Sequence, residues 1–325
     1  MKLSHLARIA LITTLLLTLL IVVLSSTVGY LSSVSSGPSI TTASLKLPDT
    51  GQVTDYTAII GEDSDYTLNP PTYTDNGNGT VTDQVTGLIW QQNDGGEMTF
   101  DTAATYCESL TLGGHTDWQL PSSAALFNLV SLDRNPALNS AFTASAAQYW
   151  WSTNELAGDR TRAWVVNAGG GIGAHPKDET LSAGGVKRFH ARCVRNTPVR
   201  MTSDFTDNGN ATVTDQNTGL MWQQAEVGST MTWEAALGYC EDLTLGDRTD
   251  WRLPNSKELR SINDDTHVRP SLNPIAFPGA QAARYWSSTT LFGRTDFAWF
   301  VDFTSGLASY NDKIGQLAVR CVRGG

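Results

Sequence analysis

A chain of 325 residues with 40% hydrophobic and 17% charged residues can bury ordinary cores and is not disordered as a whole. Its formal net charge of -10 argues against a general nucleic-acid binder, which needs a basic surplus, although a local basic patch is compatible with an acidic total. Length alone suggests about two domains.

The first element is an apolar run from Ile9 to Leu24, interrupted only by Thr13, Thr14 and Thr18 and preceded by Lys2 and Arg8. A positive flank followed by an apolar run is the pattern of a signal peptide or signal anchor, here over residues 1–31. The run is short for a membrane span of about 20 residues, but extension through Leu31 makes it long enough, so cleaved and anchored forms both stay open. In either case the rest of the chain is expected to be extracytoplasmic: secreted, periplasmic or anchored at the cell surface. Any membrane contact would run through this segment alone. Residues 32–71 are rich in Ser, Thr, Gly, Pro and Asp and lack apolar periodicity, which predicts a flexible linker.

An internal repeat follows. Residues 74–92 read TDNGNGTVTDQVTGLIWQQ and residues 206–224 read TDNGNATVTDQNTGLMWQQ, with three differences. The match continues through Tyr106-Cys107-Glu108 with Tyr239-Cys240-Glu241, and through Thr116-Asp117-Trp118-Gln119-Leu120-Pro121 with Thr249-Asp250-Trp251-Arg252-Leu253-Pro254. Tyr149-Trp150-Trp151-Ser152-Thr153 is read against Tyr285-Trp286-Ser287-Ser288-Thr289, and each copy ends on Arg-Cys-Val-Arg. A repeat this long means two complete domains, over 72–197 and 200–325, rather than solenoid units.

Within each copy the local signals agree. Asn-Gly around residues 76–79 marks a hairpin turn. Phe100, Ala103, Ala104, Cys107 and Leu110 form one helical stripe, repeated by Trp233, Ala236, Leu237, Cys240 and Leu243. Thr99 and Thr232 are N-cap candidates for these helices. A second helix is expected after each Leu-Pro, capped by Ser122 or Asn255, with Asn255 and Glu258 spaced as a capping box. Later segments rich in aromatic and β-branched residues read as short strands. The fold class is therefore α+β, each copy with two helices and a mostly antiparallel sheet.

Of the three pairings open to four cysteines, only Cys107 with Cys193 and Cys240 with Cys321 respects the duplication. Such a staple, closing a long loop in an oxidising compartment, contributes about 2–4 kcal/mol. No Cys-x-x-Cys spacing suggests metal or redox chemistry.

The Asp-Asn-Gly-Asn-Gly-Thr-Val-Thr-Asp, Thr-Gly-Leu-x-Trp-Gln, Asp-Trp-Arg-Leu-Pro-Asn-x-x-Glu-Leu, Tyr-Trp-Ser-Ser-Thr and Arg-Cys-Val-Arg motifs resemble the C-terminal domain of Legionella collagen-like adhesin, long grouped as family of unknown function 1566. The resemblance covers nearly all of 73–195 and 205–323. It implies two tandem C-type-lectin-like domains, a fold shared with formylglycine-generating enzymes, and a role in attachment through sulfated glycosaminoglycans. The adhesin's collagen-like tract is absent here, and the first copy departs at Gln119, Ser122 and Ala125, where the second keeps Arg252, Asn255 and Glu258.

Asp75, Gly77, Gly79 and Asp83 read better as a tight turn than as a calcium loop, because two of the positions are glycines. Histidines lack zinc spacing, and Asp117 and Asp250 lack a second acid or a His at fixed spacing. No cofactor or metal is expected, and the ten tryptophans are read mainly as core. Binding groups belong in the loops that differ between copies: 131–148, 154–162 and 169–190, and 263–284, 291–296 and 305–316. For an anionic ligand the cations there are Arg160, Arg162, Lys177, Lys187, Arg188, Arg269, Arg284, Arg294 and Lys313. The leading expectation is a non-enzymatic adhesion or binding module for polysaccharide or a surface protein, bivalent through its duplication. The alternatives are a formylglycine-generating-type enzyme, which needs reactive thiols, and an envelope protein-interaction module.

Overall fold

The computed structural model describes residues 46–143, 145, 147–181, 188–196 and 204–324. The expected signal segment, the leader up to residue 45 and the junction around Pro198 lie outside the described residues. No helix among the described residues is long and apolar enough to cross a membrane.

Each copy opens with a three-stranded meander. In the first, β1 (Tyr73–Asp75), β2 (Thr80–Asp83) and β3 (Ile89–Gln91) pair antiparallel, and β3 also pairs with β8 (Val194–Arg195) at the end of the copy. The second repeats this with β9 (Phe205–Asp207), β10 (Thr212–Asp215), β11 (Met221–Gln223) and β15 (Val322–Arg323). The Asn-Gly turn forms as expected. Asp75 Oδ1 accepts from the Gly77 amide, and Asn76 Nδ2 donates to Thr80 and Thr82. Gly79 takes a φ of 83°, whereas its equivalent Ala211 is held at 65°, a region L side chains disfavour.

The helices form where the stripes predict them: α1 (Phe100–Ser109) and α3 (Trp233–Glu241), then α2 (Ser123–Leu129) and α4 (Ser256–Ser261). Thr99, Ser122 and Asn255 cap through their side chains, and the Asn255–Glu258 capping box closes in both directions. Thr232 makes no such side-chain bond. The remaining strands are β4 (Ala147–Leu156), β5 (Asp159–Asn167), β6 (Ile172–Pro176) and β7 (Arg188–His190), and β12 (Arg284–Leu291), β13 (Arg294–Asp302) and β14 (Leu307–Asp312). All pair antiparallel except β4 with β7.

The Tyr-Trp motif needs a one-residue correction. Trp151 and Trp286 each donate an indole N–H to a methionine carbonyl, Met98 at 2.9 Å and Met231 at 3.0 Å. Ser152 and Ser287 each donate to the carbonyl of Trp164 or Trp299, both at 2.9 Å. Trp150 therefore corresponds to Tyr285, and Tyr149 stands one place earlier. A one-residue slip along a strand exchanges its two faces, so the literal string match misplaces every side chain of the motif.

The copies do not stand apart as separate beads. The described residues form one compact unit. Strand β14 pairs with β6 through Ala308 and Ile172, joining both sheets into one of seven strands in the order β12-β13-β14-β6-β5-β4-β7. One core cluster draws on both copies, including Trp164 and Ile172 from the first and Trp299, Phe303 and Ala308 from the second. Separate clusters lie under α1 and α3 and carry the disulfides. Both expected bonds are present, Cys107–Cys193 and Cys240–Cys321. All ten tryptophans are buried, as core residues should be.

Residues 46–71 are not a flexible linker. They form a strap with a single 3-10 turn, Asp63–Asp65, and bury Asp49, Thr50, Gln52, Glu62 and Asp63 against the rest of the unit. Composition predicted disorder because the strap is fixed by polar side chains, which leave no apolar period to read.

Candidate functional site

The residues carrying the family resemblance build scaffold. Arg192 and Arg320 are wholly buried, with Nη1 donating to the carbonyls of Gln91 and Gln92 or of Gln223 and Gln224. Each guanidinium lies over aromatic rings, Phe142 and Trp150 or Phe277 and Tyr285. Burial draws both down to about 10, against the weaker opposing pull of Asp94 or Glu226. Gln91 and Gln223 accept from the amides of Cys193 and Cys321, so the Trp-Gln and Arg-Cys motifs interlock. Asp117 and Asp250 take bidentate bonds from Arg195 and Arg323 across the domain surface, which fits an anchoring role.

The proposed cations divide into places. Arg160, exposed to 88% of its side chain, pairs with Glu155, and Lys177 pairs with the same carboxylate while lying 4.9 Å from the Phe100 ring centroid. Arg162 donates to the Ala174 carbonyl beside them. The loop bearing Arg269 meets this hairpin from the other copy: a Cβ placed on Gly158 would sit 3.7 Å from Val268. Exposed Arg269 itself forms no ion pair among the described residues. The structure thus brings Arg160, Arg162, Lys177 and the Arg269 loop together, with Glu155 and Asp159 among them.

Lys313 occupies in the second copy the position of Lys177: both carbonyls accept from the first residue of a helix, Trp233 or Phe100. Its Nζ stands 3.6 Å from the Trp233 ring centroid and donates to Thr290. Arg294 pairs with Asp296 nearby and covers Phe297. Arg188 pairs with Glu97 and Arg284 with Asp302, at opposite edges of the large sheet, away from either group. Lys187 lies outside the described residues.

Sequence reasoning missed two polar clusters. In the first, Asp94 accepts from His190 at 2.7 Å, from Trp150 at 3.1 Å and from Ser145. Burial pushes the Asp94 carboxyl up, but the bonds from His190 and Ser145 and the charge of Arg192 outweigh it and hold it at about 2. Ser145 donates to the carboxylate, whereas the nucleophile of a catalytic triad donates to its imidazole base. A cavity of about 140 Å³ adjoins it, lined by Phe142, Ser145 and Trp150 among others.

The second cluster lies where the strap meets the second copy. Thr289 and Thr50 donate to Asp63 at 2.6 and 2.7 Å, and Thr290 donates to Glu62. Lys257, fully enclosed, donates to the carbonyls of Asp49 and Asn128 at 2.8 and 2.9 Å. Burial, with Asp49 adding repulsion, raises the Asp63 carboxyl to about 7, and burial lowers the Lys257 ammonium to about 8. Beside it Arg252 and Glu258 form a buried bidentate pair, both bonds 2.7 Å. An open cleft of about 330 Å³ runs along the strap's two ends, past Asn255 and Glu258.

Among the described residues no group of three or more His, Cys, Asp or Glu side chains comes together to hold a metal ion. A family model described as the Lcl C-terminal domain matches residues 79–195 and again 211–323. No curated protein matches the chain.

Proposed function

This chain belongs to the Lcl C-terminal domain family, in two copies, and from that premise we propose that it is an extracytoplasmic, non-enzymatic binding or adhesion module for an anionic, sulfated polysaccharide, each copy a C-type-lectin-like fold. The observation that carries the reading is the inter-copy group of Arg160, Arg162 and Lys177 beside the loop of Arg269. An exposed pair such as Arg160–Glu155 contributes only about 0–1 kcal/mol, so its arginine exchanges a carboxylate for a sulfate at little cost. Arginine suits the fork geometry of sulfate as it does phosphate. Two disulfides are consistent with an extracellular location. They also tie up all four cysteines, which supports a binding role over a thiol-dependent enzyme of the formylglycine-generating type.

A glycan array read at several salt concentrations tests this. Binding to sulfated glycans should fall steeply with salt, and Arg160→Ala with Arg269→Ala should weaken it at least tenfold. Salt-insensitive binding, or none to any anionic glycan, would sink the reading and leave a surface protein as the ligand class.

A further inference from the structure

We propose that the strap Asp49–Tyr66 is a displaceable pseudo-ligand, and that the groove it fills on the second copy is a separate binding site for an extended, carboxylate-rich peptide of a partner. This does not rest on the polysaccharide reading, whose cations lie elsewhere.

The first argument is the strap's inverted burial. Its Val53 and Ile60 are 75% and 67% exposed, while Asp49, Thr50, Gln52, Glu62 and Asp63 are buried. A segment retained as core puts its aliphatic residues inward. This one turns Ile59 toward the core but otherwise offers carboxylates to hydroxyls and a backbone carbonyl to an ammonium group, as a bound ligand does. Glu62 and Asp63 take Thr290 and Thr289, and the Asp49 carbonyl takes Lys257.

The second argument is that groups from outside the strap hold its backbone carbonyls and an amide side chain. The Thr290 amide donates to Gln52 Oε1 at 3.0 Å and the Leu132 amide donates to the Thr50 carbonyl at 2.8 Å. The Thr50 and Asp49 carbonyls are thus held by Leu132 of the first copy and Lys257 of the second, while Thr290 reads the Gln52 side chain; backbone carbonyls are what a peptide supplies and a sugar chain does not.

The third argument is the contrast between copies. Where the second copy has Lys257 and Thr290, the first has Ala124 and Glu155, and its Ser123 is taken by Asp265. The acid-accepting groove belongs to one copy. Buried carboxylates unmatched by close cations hold weakly, since much of their attraction is offset by desolvation. The open cleft at the strap's two ends gives a competitor access.

The test uses the full chain and a fluorescein-labelled peptide copying residues 46–68. Glu62→Lys with Asp63→Lys should loosen the strap, and that variant should bind the peptide at least tenfold more tightly than the unsubstituted chain. Adding Lys257→Met should remove that binding. Should the variants fail to fold, hydrogen exchange on the unsubstituted chain decides. The amides of Tyr56, Gly61 and Leu68 should exchange through local opening, at least a hundredfold faster than those of β13, and faster still with excess peptide. Strap amides that exchange only with global unfolding would overturn the proposal, as would a peptide with Gln and Asn in place of its acids binding equally well. Release of the strap by a sulfated oligosaccharide but not by the peptide would overturn the peptide assignment.

Discussion

Ala211 and Asp94 show how single residues carry local cost and local stability. Ala211 occupies a left-handed turn position that its counterpart fills with Gly79, and the left-handed region costs a non-glycine residue about 1–2 kcal/mol, partly offset by glycine's greater unfolded entropy. Ala211→Gly should therefore stabilise by about 0.5–1 kcal/mol in urea unfolding. Gly79→Ala should destabilise by more, because its new Cβ would stand 3.2 Å from Leu112 Cδ1. A neutral pair of results would show that the turn relaxes freely. Asp94 sets an acid limit on the first copy. Its folded-state pKa is depressed to about 2, so its contribution is fully present above an ordinary Asp value near 4 and is lost as pH falls through about 2. Asp94→Asn should flatten the stability loss between pH 4 and 2; an unchanged acid limb would remove Asp94 from that role.

At the scale of elements, the buried Arg252–Glu258 clasp ties the start of α4 to the chain's end, since Arg252 also donates to the Gly324 carbonyl. Glu258→Ala leaves a buried guanidinium without its partner and should cost about 3–5 kcal/mol. The double change Arg252→Gln with Glu258→Ala copies Gln119 and Ala125 of the first copy and should recover most of that loss. Helices of this kind were legible in the sequence, because caps and 3.6-residue stripes are local. The strap was not, because Glu62 and Asp63 meet Thr290 and Thr289 from far along the chain. Its fixing also has a pH signature. Asp63 is raised to about 7, so the strap's stability is complete below pH 4 and declines as pH rises through 7. Asp49 and Glu258 add repulsion to the ionised form, while Lys257 opposes them until it loses its proton near 8. After correction for intrinsic exchange, strap amides should gain on those of β13 between pH 6 and 8. A constant ratio would show that Asp63 does not titrate there.

For the whole molecule, the duplication was legible as strings and its consequence was not. Identical motifs predict two similar folds, but the contact between them is made by residues with no matching signal, such as Ala308 against Ile172. At Gly170 the backbone passes so near that a Cβ would meet Leu132 at 2.4 Å and Trp299 at 3.5 Å. Two linked but independent domains would unfold in two steps, each copy following its own staple. A shared sheet and a shared apolar cluster couple them instead, since Trp164 of one copy and Trp299 of the other are buried in the same cluster. Unfolding should therefore be a single transition, with tryptophan fluorescence and far-ultraviolet circular dichroism coincident. Removing one staple by Cys107→Ala with Cys193→Ala frees a separation of 86 residues and should lower that transition as a whole, by about 2–4 kcal/mol. A variant in which one copy melts early while the other keeps its original midpoint would show that the seven-stranded sheet joins the copies without binding their stabilities together.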